Sequence, residues 1–126
     1  MRQDDRPIIR PMRRGDAAKV IDMAYELAAA VGEGKPKVAE SDLVKDGPGP
    51  ERWFDCLVAE AKGELVGYAL VCKRFEAHTG GKRLWLSDLY VQPIARRNGT
   101  GRALMMAVAR HALQLAAMPS IGSFGA

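Results

Sequence analysis

Residues 91–102 read VQPIARRNGTGR, which sets Arg96, Gly99 and Gly101 at R-x-x-G-x-G spacing between an extended apolar run ending at Val91 and an apolar helical pattern. Two glycines one residue apart let backbone N–H groups turn into one pocket with no Cβ in the way. The helix behind them adds its own unpaired first N–H groups and the positive end of its dipole. The chemistry suited to this spacing is the cradling of a phosphate or pyrophosphate. A plain strand-to-helix turn, with glycines used only for geometry, is the competing reading. A dinucleotide fingerprint is weaker, because Leu104 stands where close helix packing would want a third glycine and the preceding strands form a hairpin rather than a βαβ unit. A nucleoside-triphosphate loop fails, since no Gly-Lys-Ser/Thr follows.

The elements that position this turn can be read from punctuation and periodicity. Ile8 to Arg10 is a short extended segment ended by Pro11, and Asp16 stands at an N-cap position before a helix predicted over 17–31. Val20, Ala24, Leu27, Ala28 and Val31 form its apolar face, and Gly32 and Gly34 stop it. Ser41 to Val44 predicts a second short helix, ended by the DGPGP run at 46–50. Two strands, 56–59 and 65–72, flank a tight turn at Lys62-Gly63. A loop from Phe75 to Lys82, with Thr79-Gly80-Gly81 inside it, leads to a third strand over 84–91. A last helix is predicted from Gly101 to about Ala117, with Leu104, Val108, Ala112 and Leu115 on its apolar face and Met118-Pro119 closing it.

A chain of 126 residues predicts a single domain, residues 1–126, and 48% hydrophobic with 27% charged residues is ordinary for a globular fold. No apolar run approaches the roughly 18 residues of a membrane span. A cytoplasmic protein is the expectation. The net charge of +4 permits contact with anions, but no aromatic-rich basic strand or recognition helix accompanies it, so no nucleic-acid partner is expected. Cys56 and Cys72 fall in apolar strand runs at positions not directly opposite across the Lys62-Gly63 turn, which predicts reduced, buried cysteines. His78 and His111 have no second ligand at metal spacing, so no metal site is expected.

The order of these elements, with IIRPMRRGDAAKV at the start, SDLVKDGPGPERWFDCLVAE in the middle and LWLSDLYVQPIARRNGTGRALM over the turn, resembles the GNAT superfamily of N-acetyltransferases, nearest to its spermidine/spermine and thialysine branch. The resemblance spans residues 8–117. It implies an α/β (α+β) acyl-CoA N-acyltransferase fold, a mixed and largely antiparallel sheet with flanking helices. It also implies a transferase moving acetyl from acetyl-CoA to a primary amine of a small molecule. The pyrophosphate would then lie on Arg96, Arg97, Asn98, Gly99, Thr100 and Gly101, with Arg96 or Arg102 adding charge-assisted bonds. The pantetheine arm would pair with backbone groups of Leu89 and Val91 as an added strand does. Thr100 stands where the family usually has an aliphatic residue and Arg97 where it often has glycine. Neither change removes a backbone N–H.

Acetyl transfer needs a proton acceptor for the ammonium, a polarised carbonyl and a leaving thiolate. The family's glutamate on the long strand corresponds to Ser87, which cannot be that base at neutral pH. Asp88 is the neighbouring candidate, expected by alternation to face away from Ser87, with a purely structural role the competing reading. Tyr90 is a further catalytic candidate, though packing suits it better. The family's tyrosine-bearing segment, N-x-x-A-x-x-F-Y, has no counterpart, so the fold is expected to stop after the cofactor helix with its C-terminal strand-helix-strand part missing. The strand over 84–91 would then present an open edge, and a homodimer paired across it is expected. A module that binds coenzyme A or a protein without turnover is the alternative function. Lys35 and Lys37 beside Glu33 and Glu40 put cationic polyamine acceptors in doubt.

Overall fold

The computed structural model describes residues 6–50, 52–78 and 80–117, with side chains to residue 114; Thr79 and the helix stop at Met118-Pro119 lie outside the described residues. In chain order the elements are β1 (Ile8–Pro11), α1 (Ala17–Ala30), α2 (Glu40–Asp46), β2 (Asp55–Ala61), β3 (Glu64–Glu76), β4 (Gly81–Val91) and α3 (Thr100–Ala117). The sheet is four-stranded in the order β1-β2-β3-β4, and every described pairing is antiparallel. Lys62 and Gly63 join β2 to β3 with φ of 52° and 80°, the two positive angles that a two-residue hairpin turn matched to strand twist requires.

Alternation along the strands sends side chains to two faces, and each face builds its own core. On one side α1 and α2 cover Cys56, Val58, Tyr68 and Tyr90 through Val20, Met23 and Leu43. On the other α3 lays Leu104 and Val108 over Ala59, Ala69, Val71 and Val91. The buried face of α1 is Ala17, Val20, Met23 and Ala28, at three- to five-residue spacing. Val31, expected on that face, is 58% exposed: the helix ends at Ala30, and Gly32 at φ 77° turns the chain away. Asp16 precedes α1 but makes no side-chain cap to it. Its carboxylate instead accepts from the Arg13 N–H at 2.7 Å and from the Arg10 guanidinium at 2.7 Å, and Arg10 also reaches Glu60 at 3.0 Å, so the group ties β1 to β2.

Two features of β3 and β4 depart from expectation. Where a loop from Phe75 to Lys82 was expected, Phe75 pairs with Lys82 and Arg74 with Arg83, so the two strands run on as a ribbon and the described turn residues are only Ala77, His78 and Gly80. Gly80 and Gly81, at φ 105° and 114°, supply the turn that β-branched or bulky residues could not. The second feature is a bulge. Leu70 pairs with Asp88 but Val71 pairs with Leu86, which leaves Ser87 as the extra residue on β4. Its consequence is a change of parity: Leu86 and Leu89, three residues apart, both pack on the α3 side. The strict alternation that separated Ser87 from Asp88 is therefore interrupted at Ser87.

Candidate functional site

β4 runs straight into the glycine turn. The Gln92 N–H closes the β3–β4 ladder on the Val66 carbonyl at 2.8 Å, and a 3-10 turn at Pro93–Ala95 follows, with the Ala95 N–H on the Gln92 carbonyl at 2.9 Å. Arg97 then adopts φ 69° and Gly99 φ 78°. The Gly99 carbonyl accepts the Ala103 N–H at 2.9 Å, so Gly99 is the last residue before α3, and helix geometry leaves the N–H groups of Thr100, Gly101 and Arg102 without intrahelical acceptors. Thr100 is 2% exposed and anchors the helix start. A Cβ at Gly99 would meet nothing within 4 Å, and one at Gly101 only Val91 Cγ2 at 3.8 Å. Open space thus lies over the turn, and the donors and the helix dipole face it. These residues suit a pyrophosphate.

The pairing of Gln92 with Val66 also fixes which way the β4 backbone points. Backbone groups alternate along a strand, so those of Leu89 and Val91 face the outer edge, away from β3. The Val91 carbonyl is not left bare: the Arg96 Nε donates to it at 2.8 Å, and the Arg96 guanidinium lies 5.7 Å from the Tyr90 ring centre. Arg96 is therefore folded back onto β4, a use that the R-x-x-G-x-G spacing did not reveal. Arg97 and Arg102 are exposed beside the turn, as is Asn98.

The two tyrosines at the centre of the sheet face α1 and α2, and each gives its hydroxyl to a carboxylate. The Tyr68 hydroxyl donates to Asp88 Oδ2 at 2.8 Å, and the Tyr90 hydroxyl donates to Glu26 Oε1 at 2.9 Å. Burial pushes the Tyr68 phenol well above its ordinary value and the bond to Asp88 raises it further. Tyr90 is raised by burial and then by Glu26. Both phenols keep their protons. Tyr90, a catalytic candidate by sequence, is thereby engaged with Glu26, which Gln92 Nε2 also meets at 3.3 Å. Asp88 sits half-buried on β4 directly after the bulge, and Ser87 is exposed. Sequence reasoning missed Tyr68 and Glu26. Tyr68 sits within an apolar strand run, and its partner becomes visible only once the β3–β4 register is known.

A separate polar group lies at the other end of α3. His111 Nε2 meets Asp55 Oδ2 at 2.9 Å, and Arg52 closes on the other Asp55 oxygen. Burial alone would raise the Asp55 carboxyl, but the bonds from His111 and Arg52 outweigh it and hold the group below its ordinary value. The group borders a hollow of about 380 Å³ edged by Met12, Pro48, Phe54 and Leu57. Nearby Cys56 is pushed up to about 12, mainly by burial, and remains a thiol, in keeping with a packing role. Both cysteines are free. No group of three metal-ligating side chains occurs among the described residues.

Comparison with known proteins matches residues 20–123 to the Acetyltransferase (GNAT) family. The thialysine N-epsilon-acetyltransferase of Sus scrofa is 36% identical over 115 residues, which cover 84% of this chain and 67% of that protein. The spermidine/spermine N(1)-acetyltransferase-like protein 1 of Homo sapiens is 30% identical over 113 residues, 83% of this chain and 16% of that one. Among solved structures, an aminoglycoside acetyltransferase from an uncultured soil metagenomic sample superposes with a TM-score of 0.71 at 19% identity, over 91% of this chain and 75% of that chain. This chain thus spans about two thirds of the length of the porcine enzyme, 67%.

Proposed function

Because the chain belongs to the acetyltransferase (GNAT) family, whose members use acetyl-CoA, we propose that it acetylates the primary amine of a small molecule along the β4 edge. The observation that carries this reading is the continuity of the site: one strand bears the Asp88 carboxylate, the outward Leu89 and Val91 backbone groups and, at its end, the open glycine turn. N–H groups of Gly99, Thr100 and Gly101 would bind the pyrophosphate, with Arg97 and Arg102 adding charge and Arg96 and Asn98 shaping the turn. Leu89 and the Val91 N–H would take the pantetheine amides. Bound acetyl-CoA supplies an acyl carbon activated as a thioester. Asp88, positioned by the hydrogen bond it accepts from the Tyr68 hydroxyl, accepts a proton from the ammonium so that a neutral nitrogen can attack. Ser87 lacks the basicity for that step. Tyr90 is assigned to packing, oriented by Glu26.

A carboxylate placed at Gly101 tests the cradle. A side chain fits there, and an acidic residue in the first helical turn does not harm folding. Gly101→Glu should therefore keep its melting temperature while calorimetric affinity for coenzyme A falls by about tenfold or more. Unchanged affinity would sink the assignment of the turn.

The reading extends to assembly and setting. Among the described residues β4 is an open sheet edge, and we assign its Leu84 to Leu86 stretch to pairing with a second copy. Light scattering that finds a monomer over a wide concentration range would remove this assignment. The two free cysteines support a reducing, cytoplasmic setting. No helix among the described residues is long and apolar enough to cross a membrane.

A further inference from the structure

The Asp88 carboxylate borders an apolar floor. β3 keeps its alternation past the bulge, so Tyr68, Leu70 and Cys72 share the face turned toward α1 and α2, and their partners on β4 are Tyr90, Asp88 and Trp85. Trp85 therefore follows Asp88 on the same face. Leu70 and Cys72, the residues opposite them, are two apart on β3, so the Asp88 and Trp85 positions stand about 7 Å apart at the usual rise. Leu70 and Cys72 are half-buried, and Trp85 is 54% exposed.

Three features suit this floor to a ligand. The Tyr68 hydroxyl occupies Oδ2 of Asp88, and no other hydrogen bond reaches that carboxylate among the described residues, so Oδ1 is left for a cation. The Arg74 guanidinium lies 4.8 Å from the Trp85 ring centre, a contact that holds the indole in place while much of its surface stays open. A ring held in this way loses less side-chain freedom when a ligand stacks on it. Finally, the charge across the floor is one-sided. Asp88 stands at one end and Arg74 at the other, with Leu70, Cys72 and the indole between, so a second positive charge on the ligand would approach Arg74 whereas a neutral ring would not.

We infer that the acceptor is an arylalkylamine: its ammonium lies at Asp88 and its flat apolar ring stacks on Trp85, over Leu70 and Cys72. Two methylene carbons put the nitrogen about 5 Å from the centre of a phenyl ring, and aromatic rings pair at centre separations of about 4.5–7 Å. Such an amine spans the step from Asp88 to Trp85. The inference rests on the transferase reading above and narrows its small-molecule amine to one class. A polyamine offers Trp85 no ring and brings a cation toward Arg74.

The test follows free-thiol release from acetyl-CoA with three acceptors: 2-phenylethylamine, ethylamine, which is the same arm without the ring, and spermidine. 2-Phenylethylamine should show a KM at least about tenfold below that of ethylamine, a ratio expected from burying one face of a phenyl ring, and spermidine should be poorer than 2-phenylethylamine. Trp85→Ala should shrink the ratio of the first two KM values to within about twofold, and Trp85→Phe should keep most of it. A general structural defect would weaken both amines alike and leave the ratio unchanged. Equal KM for the two amines in the unaltered protein, a spermidine KM below that of 2-phenylethylamine, or a ring preference that survives Trp85→Ala overturns the inference while leaving the transferase reading intact. No thiol release with any amine, together with no calorimetric binding of coenzyme A, overturns both.

Discussion

On the α3 side of the sheet the buried set is Ala59, Val66, Ala69, Val71, Val91, Ala95, Leu104 and Val108, hydrocarbon throughout, whereas the α1 and α2 side closes around two tyrosines whose hydroxyls go to Asp88 and Glu26. The same strands supply both faces, so the contrast comes from what each face must do. The α3 face fixes a helix, and through it the glycine turn, by apolar burial alone. The other face holds polar groups at chosen points and must satisfy each of them, because an unpaired buried polar group costs about 1–3 kcal/mol. Packing on one side and hydrogen bonding on the other should therefore fail in different ways when cut.

The largest effect belongs to the apolar face. Leu104 is fully buried, and Leu104→Ala should cost about 3 kcal/mol of unfolding free energy in urea titration, with coenzyme A affinity falling only as far as the helix start loosens. The polar face should instead lose function before stability. Tyr68→Phe leaves Asp88 without its donor and should cost about 1–2 kcal/mol, while Asp88→Asn should cut kcat/KM about a hundredfold with the melting temperature little changed. If both substitutions changed only stability, the contrast between faces would be one of packing style alone. A smaller effect comes from Arg97, whose positive φ of 69° strains any residue with a Cβ. Arg97→Gly should add about 1 kcal/mol of stability and weaken coenzyme A binding a few-fold, a direct reading of strain retained for charge. The smallest lies at Asp55. Its carboxyl is lowered in the fold, so its contribution is present above its ordinary pKa and is lost as pH falls through the folded value; His111→Ala should remove about 0.5–1 kcal/mol at pH 6 and less at pH 3.

The elements were legible because each is bounded by residues with a local mechanism. Lys62-Gly63 turns the hairpin, Gly32 stops α1, and the glycine turn opens α3, so these ends fell within one or two residues of expectation. What was not legible depends on pairing. The continuation of β3 to Glu76 needs Lys82 and Arg83 opposite it, and the Tyr68–Asp88 bond spans 20 residues. The Arg96 contact with the Val91 carbonyl is local, yet motif spacing alone suggested a different role for that arginine. One further signal was present and unused: Leu84, Leu86, Leu89 and Val91 step by two, three and two, a stutter that a regular strand cannot place on one face.

That stutter makes β4 a strand read in two frames. Downstream of Ser87 the odd positions Leu89 and Val91 face α3, while upstream the even positions Leu84 and Leu86 do. Removing Ser87 would not simply delete an exposed hydroxyl. It would set Leu86 beside Asp88 and merge the two frames into one regular alternation, in which Leu84 and Leu86 still face α3 and Trp85 and Arg83 still share the face of Asp88, so what would be lost is the local bend and added twist of the bulge. The extra residue thus sets the course of β4 rather than the facing of its side chains.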